Sequence, residues 1–164
     1  MKRRNFLYGV GLAPMLLMPK LNFFGSPEAD LDLNNSLYFY TYDNPVRGYN
    51  YGQKIAKDYL KKWPNADVVQ TSAHDYMCEF VRHLRDDSLI LFRDKGWYQK
   101  DLIVMNDLDA IGKGSATKEE FRNLCYRAHR DGRKIIVNLR KSALDKEMES
   151  VLIGFKRFIP KYLV

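Results

Sequence analysis

The sequence is poor in cysteine and has no long hydrophobic run. Its only cysteines, Cys78 and Cys125, cannot build a disulfide framework and do not form a Cys-x-x-Cys metal pair. No apolar run reaches the length of about 18 residues that a membrane span needs, which excludes an integral membrane protein. His74, His83 and His129 are too scattered to predict a metal site with either cysteine. These absences leave a globular domain without a structural metal.

What the chain has in excess is positive charge. Its 164 residues carry 27 Lys and Arg against 20 Asp and Glu, a formal charge of +7, which favours anionic partners. The basic residues cluster, with aromatic side chains among them, a composition typical of surfaces that bind single-stranded nucleic acid. The alternative is that they solvate the outer faces of helices. The nucleic-acid-binding candidates are Lys61, Lys62, Arg127, Arg130, Arg133 and Lys134.

The first 25 residues differ from the rest of the chain. A basic start precedes an apolar stretch from Phe6 to Met18, and residues 3–7 resemble the twin-arginine export motif. No clear cleavage site follows, so residues 1–25 are either an export signal or a basic, apolar arm. Residues 26–36 are predicted to be a linker. The arm favours a cytoplasmic protein, and the signal favours a periplasmic one.

From Leu37 onward, strand-like and helix-like segments alternate. Four helices are predicted: one over Tyr49–Trp63, one that starts at Ser72, one that starts at the Thr117–Glu120 capping box, and one over Ser142–Leu152. The apolar face of the second helix consists of Met77, Phe80, Val81 and Leu84. The predicted strands are 37–40, 67–71, 101–105, 134–137 and 161–164. This alternation predicts an α/β fold, a parallel sheet covered by helices on both faces.

Several motifs over residues 37–158 occur in the order of a known family. They are Lys-Trp-Pro-Asn-Ala-Asp-Val-Val at 62–69, Asp-Leu-Ile-Val-Met-Asn-Asp-Leu at 101–108, Glu-Glu-Phe at 119–121 and Ile-Ile-Val-Asn at 135–138. Together they resemble the nucleotide-binding core of the bacterial replication initiator DnaA and its AAA+ relatives. The resemblance implies a three-layer αβα P-loop NTPase-like core over residues 37–164. The few residues after Arg157 leave no room for that family's helical lid.

The phosphate loop of that family is degenerate here. The family pattern Gly-x-x-x-x-Gly-Lys-Ser/Thr gives backbone amides and a lysine to the phosphates. Residues 41–48 read Thr-Tyr-Asp-Asn-Pro-Val-Arg-Gly instead. Arg47 stands near the lysine position, and Gly48 replaces the hydroxyl that would hold Mg²⁺. Pro45 removes one backbone donor. ATP with Mg²⁺ is therefore disfavoured, and no cofactor is predicted.

The other site positions are partly kept. The resemblance gives Asn106 the place of the metal-supporting acid and Asp107 the place of the general base, now vestigial. Asn138 takes the sensor position, where it could contact a phosphate. Arg157 falls about where the family carries its arginine finger. The alternatives are that Asp107 is a strand-end carboxylate satisfied inside the protein and that Arg157 is a solvated surface residue.

These motifs support three hypotheses about function. The first is a non-hydrolysing DnaA-like module that binds a replication protein, an AAA+ partner or single-stranded nucleic acid. The second is a twin-arginine-exported protein that reuses a degenerate P-loop fold outside the cytoplasm. The third is an active ATPase with an atypical phosphate loop.

Overall fold

The computed structural model describes residues 36–111, 114–160 and 163. The predicted arm or export signal at 1–25, and all of the predicted linker 26–36 except its last residue, lie outside these ranges. Among the helices that are described, none is both long and apolar enough to cross a membrane.

Five parallel strands form one sheet. They are β1 (Leu37–Tyr42), β2 (Val68–Ser72), β3 (Leu102–Asn106), β4 (Lys134–Arg140) and β5 (Lys156–Arg157). Their order across the sheet is β2-β3-β4-β1-β5, and every neighbouring pair is parallel. Parallel neighbours cannot be joined by a tight turn, so helical crossovers connect them. All five strands therefore end at one edge of the sheet, called here the carboxyl edge, and begin at the other, the amino edge.

Helices cover both faces of the sheet. They are α1 (Pro45–Lys62), α2 (Ala73–Arg85), α3 (Leu89–Asp94), α4 (Ser115–Arg130) and α5 (Lys146–Val151), with 3-10 turns at Trp97–Gln99, Leu108–Ile111 and Lys141–Ala143. Alternate strand residues point to opposite faces. One apolar core lies between the sheet and α1, and a larger one lies under α2 to α5. The predicted three-layer α/β arrangement is confirmed.

Helix starts follow the capping chemistry of the sequence. α1 begins at Pro45, four residues before the predicted start, because Asn44 caps it. The predicted start of α2 is confirmed, since Ser72 Oγ accepts a hydrogen bond from the Asp75 amide at 3.0 Å. The predicted apolar face of α2 is confirmed only in part, because Leu84 is half exposed.

The predicted Thr117–Glu120 capping box is wrong. α4 begins at Ser115, and the Thr117 hydroxyl donates to the Gly114 carbonyl at 2.9 Å from within the first turn. Glu120 is buried and accepts a hydrogen bond from the Tyr98 hydroxyl at 2.8 Å. Its carboxylate therefore joins α4 to the turn before β3 instead of capping a helix.

The C-terminal predictions also need correction. The predicted helix 142–152 is a 3-10 turn followed by the short α5, because the Asp145 carboxylate accepts from the Met148 amide at 2.8 Å and starts a new helix there. The fifth strand of the sheet is Lys156–Arg157, a segment for which no strand is predicted, and the predicted strand 161–164 stays a prediction. Residues 161, 162 and 164 lie outside the described part of the chain.

Candidate functional site

The carboxyl edge brings together the residues predicted to face a nucleotide. β1 leads into α1, which carries Arg47 and Gly48 in its first turn. β3 ends at Asn106 with Asp107 directly after it, and Asn138 lies near the end of β4 between β3 and β1. Open parallel sheets bind their ligands in the crevice at this edge.

A buried network of side-chain amides lies beneath this edge. The Asn138 Nδ2 group donates to Asn106 Oδ1 at 2.7 Å and to the Tyr40 hydroxyl at 2.8 Å. Asn106 Nδ2 donates to the Thr71 carbonyl at 3.0 Å, and the Tyr40 hydroxyl donates to the Gly48 carbonyl at 2.8 Å. Both asparagines are almost fully buried. Both amide hydrogens of Asn138 therefore already have acceptors inside the domain.

Asp107 is held in an unusual backbone conformation. Its φ of 54° lies in the left-handed region, where a residue other than glycine costs on the order of 1 kcal/mol. The Asp107 amide donates to Asn138 Oδ1 at 2.9 Å, and its Oδ1 accepts a hydrogen bond from the Tyr42 hydroxyl. These two bonds fix both the backbone and the carboxylate.

The Tyr42 ring fills the space between Asp107 and the first turn of α1. The side chain is buried, and a Cβ added to Gly48 would lie 2.7 Å from Tyr42 Cδ1. Burial, followed by the hydrogen bond and charge of Asp107, raises the pKa of the Tyr42 phenol well above its ordinary value. The phenol therefore stays protonated and remains the donor to Asp107. Gly48 is thus required by the close approach of an aromatic ring.

The first amides of α1 are also occupied. Asn44 Oδ1 accepts from the Val46 amide at 2.9 Å and from the Arg47 amide at 3.3 Å, and the Asn44 carbonyl accepts from the Gly48 amide at 3.0 Å. Pro45 has no amide hydrogen. A helix N-terminus binds phosphate through its free amides, and here Asn44 takes them.

These residues do not fit ATP with Mg²⁺, the ligands that the fold family implies. The amides of the first turn of α1, which a phosphate would need, are bonded to Asn44, and the Tyr42 ring lies against Gly48 in that same turn. Gly48 offers no hydroxyl to a metal, and the Asn106 side chain bonds to Asn138 and to the β2 backbone. Arg47 is exposed at the rim. In the described part of the chain, no group of three or more His, Cys, Asp or Glu residues could hold a metal ion.

Arg157 does not lie at this site. It is exposed on the edge strand β5, in register with Phe39, and its Cζ lies 5.9 Å from the centroid of that ring. Phe39 is three residues before the end of β1, so Arg157 lies about 10 Å below the carboxyl edge. β5 is an outer strand, and β4 and β1 lie between it and β3, so Arg157 is separated from Asp107 by two strands.

Sequence reasoning missed two contributors to the carboxyl edge. The sequence motif assigns Tyr42 to the degenerate loop, whereas the structure makes it the last residue of β1, and its period-two spacing from Tyr40 places both rings on the α1 face. Arg140, in register with Tyr42, binds Asp109 Oδ2 through Nε at 2.8 Å and Nη2 at 2.6 Å. That ion pair joins β4 to the turn after β3, and no sequence spacing indicated it.

The basic candidates lie at the amino edge instead. α1 and α4 run back from the carboxyl edge, so their basic last turns end where β2 and β4 begin. Most of these side chains have partners: Lys61 with Asp58 at 2.9 Å, Arg127 with Asp94 at 3.2 Å, Arg130 with Asp131 at 2.8 Å and Arg133 with Gln99 at 3.1 Å. Lys62 Nζ lies over the Trp63 ring at 4.6 Å. Burial, and then the charge of Lys62, lowers the pKa of Lys134.

Comparisons with solved structures give the same fold. AMPPCP-bound DnaA from Aquifex aeolicus superposes with a TM-score of 0.65 at 18 % identity, over 80 % of this chain and 42 % of that one. Domain III of the Thermotoga maritima replication initiation protein DnaA gives a TM-score of 0.64 at 15 % identity, over 78 % and 55 %. A replication initiator DnaA bound to AMPPCP and single-stranded DNA gives 0.62 at 19 % identity, over 77 % and 40 %.

The sequence comparisons identify the family. The chromosomal replication initiator protein DnaA of Streptococcus agalactiae is 31 % identical over 85 residues, which is 51 % of this chain and 18 % of that protein. The chain therefore matches only about a fifth of the length of such relatives. The family model for the bacterial DnaA ATPase domain matches residues 39–153. Because this match covers most of the chain, the chain belongs to the bacterial DnaA ATPase domain family.

Proposed function

We propose that this chain is a DnaA-like module that does not hydrolyse ATP and that acts by binding a partner. The observation that supports it is the Tyr42 side chain, which packs against Gly48 and donates a hydrogen bond to Asp107 at the carboxyl edge, where open parallel sheets bind their ligands. Catalysis of phosphoryl transfer depends on positioning the phosphates and on a metal ion. Because these residues offer no site for the phosphates or for the metal ion, we expect no ATP hydrolysis. The surfaces of the fold remain available to a binding partner. We propose a cytoplasmic location as well, which the similarity to replication initiators supports.

The test is calorimetric titration of the protein with ATP and with ADP, each with and without Mg²⁺, together with an assay of phosphate release. Aquifex aeolicus DnaA, which binds AMPPCP, is the positive control under identical conditions. We expect no saturable heat and no turnover above background for this chain. Saturable ATP binding with Mg²⁺-dependent phosphate release would overturn the proposal and favour an active ATPase with an atypical phosphate loop.

The proposed partner is a replication protein or an AAA+ ATPase, and Arg157 is the residue that we propose contacts it. Arg157 is exposed on the outer strand β5, where a neighbouring molecule can reach it. An arginine supplied in this way stabilises the charge of a neighbour's phosphoryl transfer. Adding this chain to an active DnaA-type ATPase should change its turnover rate, and Arg157→Ala should remove the change. The matched control is the adjacent exposed Lys156→Ala, and an equal loss with both variants would contradict a specific role for Arg157.

A further inference from the structure

The end of α1 and the start of β4 form a basic and aromatic surface at the amino edge. This surface, called here the Trp63 surface, consists of Lys61, Lys62, Trp63 and Lys134. Lys62 ends α1, and Lys134 begins β4 two residues before Ile136, which shares a core with Ile55 and Ala56 of α1, so both lysines lie on the α1 face at the amino edge. Two ammonium groups on this face create a local positive potential that a phosphate backbone would neutralise. Burial, and then the charge of Lys62, lowers the pKa of Lys134.

Trp63 gives the surface an aromatic platform. It follows the last residue of α1 and is 37 % exposed, and its ring packs against Tyr59 at a tilt of 41° with 4.4 Å between the centroids. The Tyr59 contact fixes the ring from behind. A nucleobase can stack on the exposed part of Trp63, with the Lys62 ammonium moving from the ring to a phosphate. Aromatic side chains beside cations bind single strands in this way, whereas a duplex hides the faces of its bases.

Three acidic residues lie near this surface, and each already has a partner. Asp101 Oδ2 accepts a hydrogen bond from the Asp67 amide at 2.8 Å, Asp58 pairs with Lys61, and Asp67 pairs with Lys100 at 2.9 Å. Exposed ion pairs of this kind are worth at most about 1 kcal/mol and exchange readily for a phosphate. By contrast, Arg133 donates to a backbone carbonyl as well as to Gln99, which commits it to holding the turn before β3.

We propose that this chain binds single-stranded nucleic acid through the Trp63 surface, at the opposite edge of the sheet from the nucleotide site of its family. The proposal rests on the proposed function in one respect, that a module without turnover acts by binding. The two sites lie at opposite ends of the 18-residue α1, about 27 Å apart. Binding at the Trp63 surface therefore does not require a nucleotide at Asp107.

The experiment is a fluorescence titration of the full chain with a thymidine oligonucleotide of about 15 residues, without nucleotide, at several salt concentrations. The protein has two tryptophans, and Trp97 is buried. We expect saturable quenching that weakens steeply with salt and that disappears in Trp63→Phe. Trp63→Ala should weaken binding measured by oligonucleotide anisotropy about 5- to 100-fold.

Charge reversal locates the surface. Lys62→Glu with Lys134→Glu should weaken binding at least about tenfold and flatten its salt dependence. Lys61→Glu with Lys62→Glu, both at exposed positions, gives a second variant if the first fails to fold. The matched control is Lys141→Glu with Lys146→Glu, the same charge change at exposed positions following the carboxyl end of β4. We expect it to bind within a factor of about two of the unmodified chain.

Three results would overturn the proposal. Equal weakening by both charge-reversed pairs would mean a diffuse charge effect. Equal affinity for a duplex of the same length would mean that no base stacks on Trp63. Stronger binding of polyglutamate or of phosphatidylserine vesicles would assign the surface to an acidic protein or a membrane. Because these titrations contain no ATP, their failure leaves the proposed lack of turnover untouched, and ATP binding elsewhere would leave this surface untouched.

Discussion

Asn138 shows how one side chain decides what the carboxyl edge can do. Its two amide hydrogens bond to Asn106 and Tyr40, and its Oδ1 accepts from the Asp107 amide. The sequence placed Asn138 correctly at the end of a buried strand because the apolar run before it is unambiguous. Its partners could not be predicted, since they depend on strand neighbours that are 32 and 98 residues away.

Asn138→Ala should lower the free energy of unfolding by about 2–4 kcal/mol. The substitution leaves the Asp107 amide and Asn106 Oδ1 without their partner, while the Tyr40 hydroxyl keeps its bond to the Gly48 carbonyl. Each unsatisfied buried group costs about 1–3 kcal/mol. Urea denaturation followed by circular dichroism measures the change. Asn123→Ala, at an exposed position of α4, is the matched control and should alter stability by less than about 0.5 kcal/mol. A loss below about 1 kcal/mol for Asn138→Ala would contradict the network.

Alkaline pH should unfold the protein through its buried tyrosines. Burial raises the pKa of Tyr40 and Tyr42 above the value near 10 that they have in the unfolded chain. Below pH 10 both states keep the phenolic protons, so stability does not change on their account. Above pH 10 the unfolded chain loses protons that the folded chain retains, and stability falls by up to about 1.4 kcal/mol per pH unit for each tyrosine.

Tyr42→Phe should make this fall shallower, because one of the protons that differ between the two states is removed. Urea denaturation at a series of pH values from about 9 to 11, one pH unit on each side of the phenolic pKa, measures the slopes. Tyr126→Phe, an exposed tyrosine on α4, should leave the slope unchanged. The same slope in Tyr42→Phe and in the unmodified chain would contradict a protonated, buried Tyr42.

At the scale of elements, α1 carries both of the proposed properties. Its first turn is closed by Asn44 and Tyr42, and its last turn presents Lys62 and Trp63 at the other edge. The apolar positions of the sequence predict α1, but they predict a start at Tyr49, because Pro45 and the glycines at 48 and 52 obscure the helical periodicity. Asn44 followed by proline is itself a helix-start signal, and it would have given the correct boundary.

Asn44→Ala should reduce stability by about 1 kcal/mol, since the Val46 and Arg47 amides lose their acceptor. Asn44→Asp keeps an acceptor at the same position and should be within about 0.5 kcal/mol of the unmodified chain. Thermal and urea unfolding of the three proteins give the comparison. Equal stability of the alanine and aspartate variants would mean that Asn44 does not cap α1.

At the scale of the whole molecule, the sequence predicts the α/β architecture, but it does not predict that Tyr42 packs against Gly48 at the carboxyl edge. Alternating apolar segments and capped helices specify a parallel sheet with two helical layers, and β3 reads as an unbroken apolar run because both of its faces are buried. The position of the Tyr42 ring relative to Gly48 decides whether the degenerate loop leaves space for a phosphate. That contact joins a strand to a helix across a turn, and pattern alone does not show it.

Filling of the triphosphate cradle by the chain's own side chains is the central claim, and residue-resolved nuclear magnetic resonance tests it most directly. A ¹⁵N-labelled sample is titrated with ATP and Mg²⁺ while the backbone amides of Val46, Arg47, Gly48 and Asp107 are followed. The account predicts that these four resonances keep their positions up to millimolar ATP. Saturable shifts of these amides, accompanied by movement of the Tyr42 ring signals, would show a triphosphate entering between Tyr42 and Asp107 and would contradict the account.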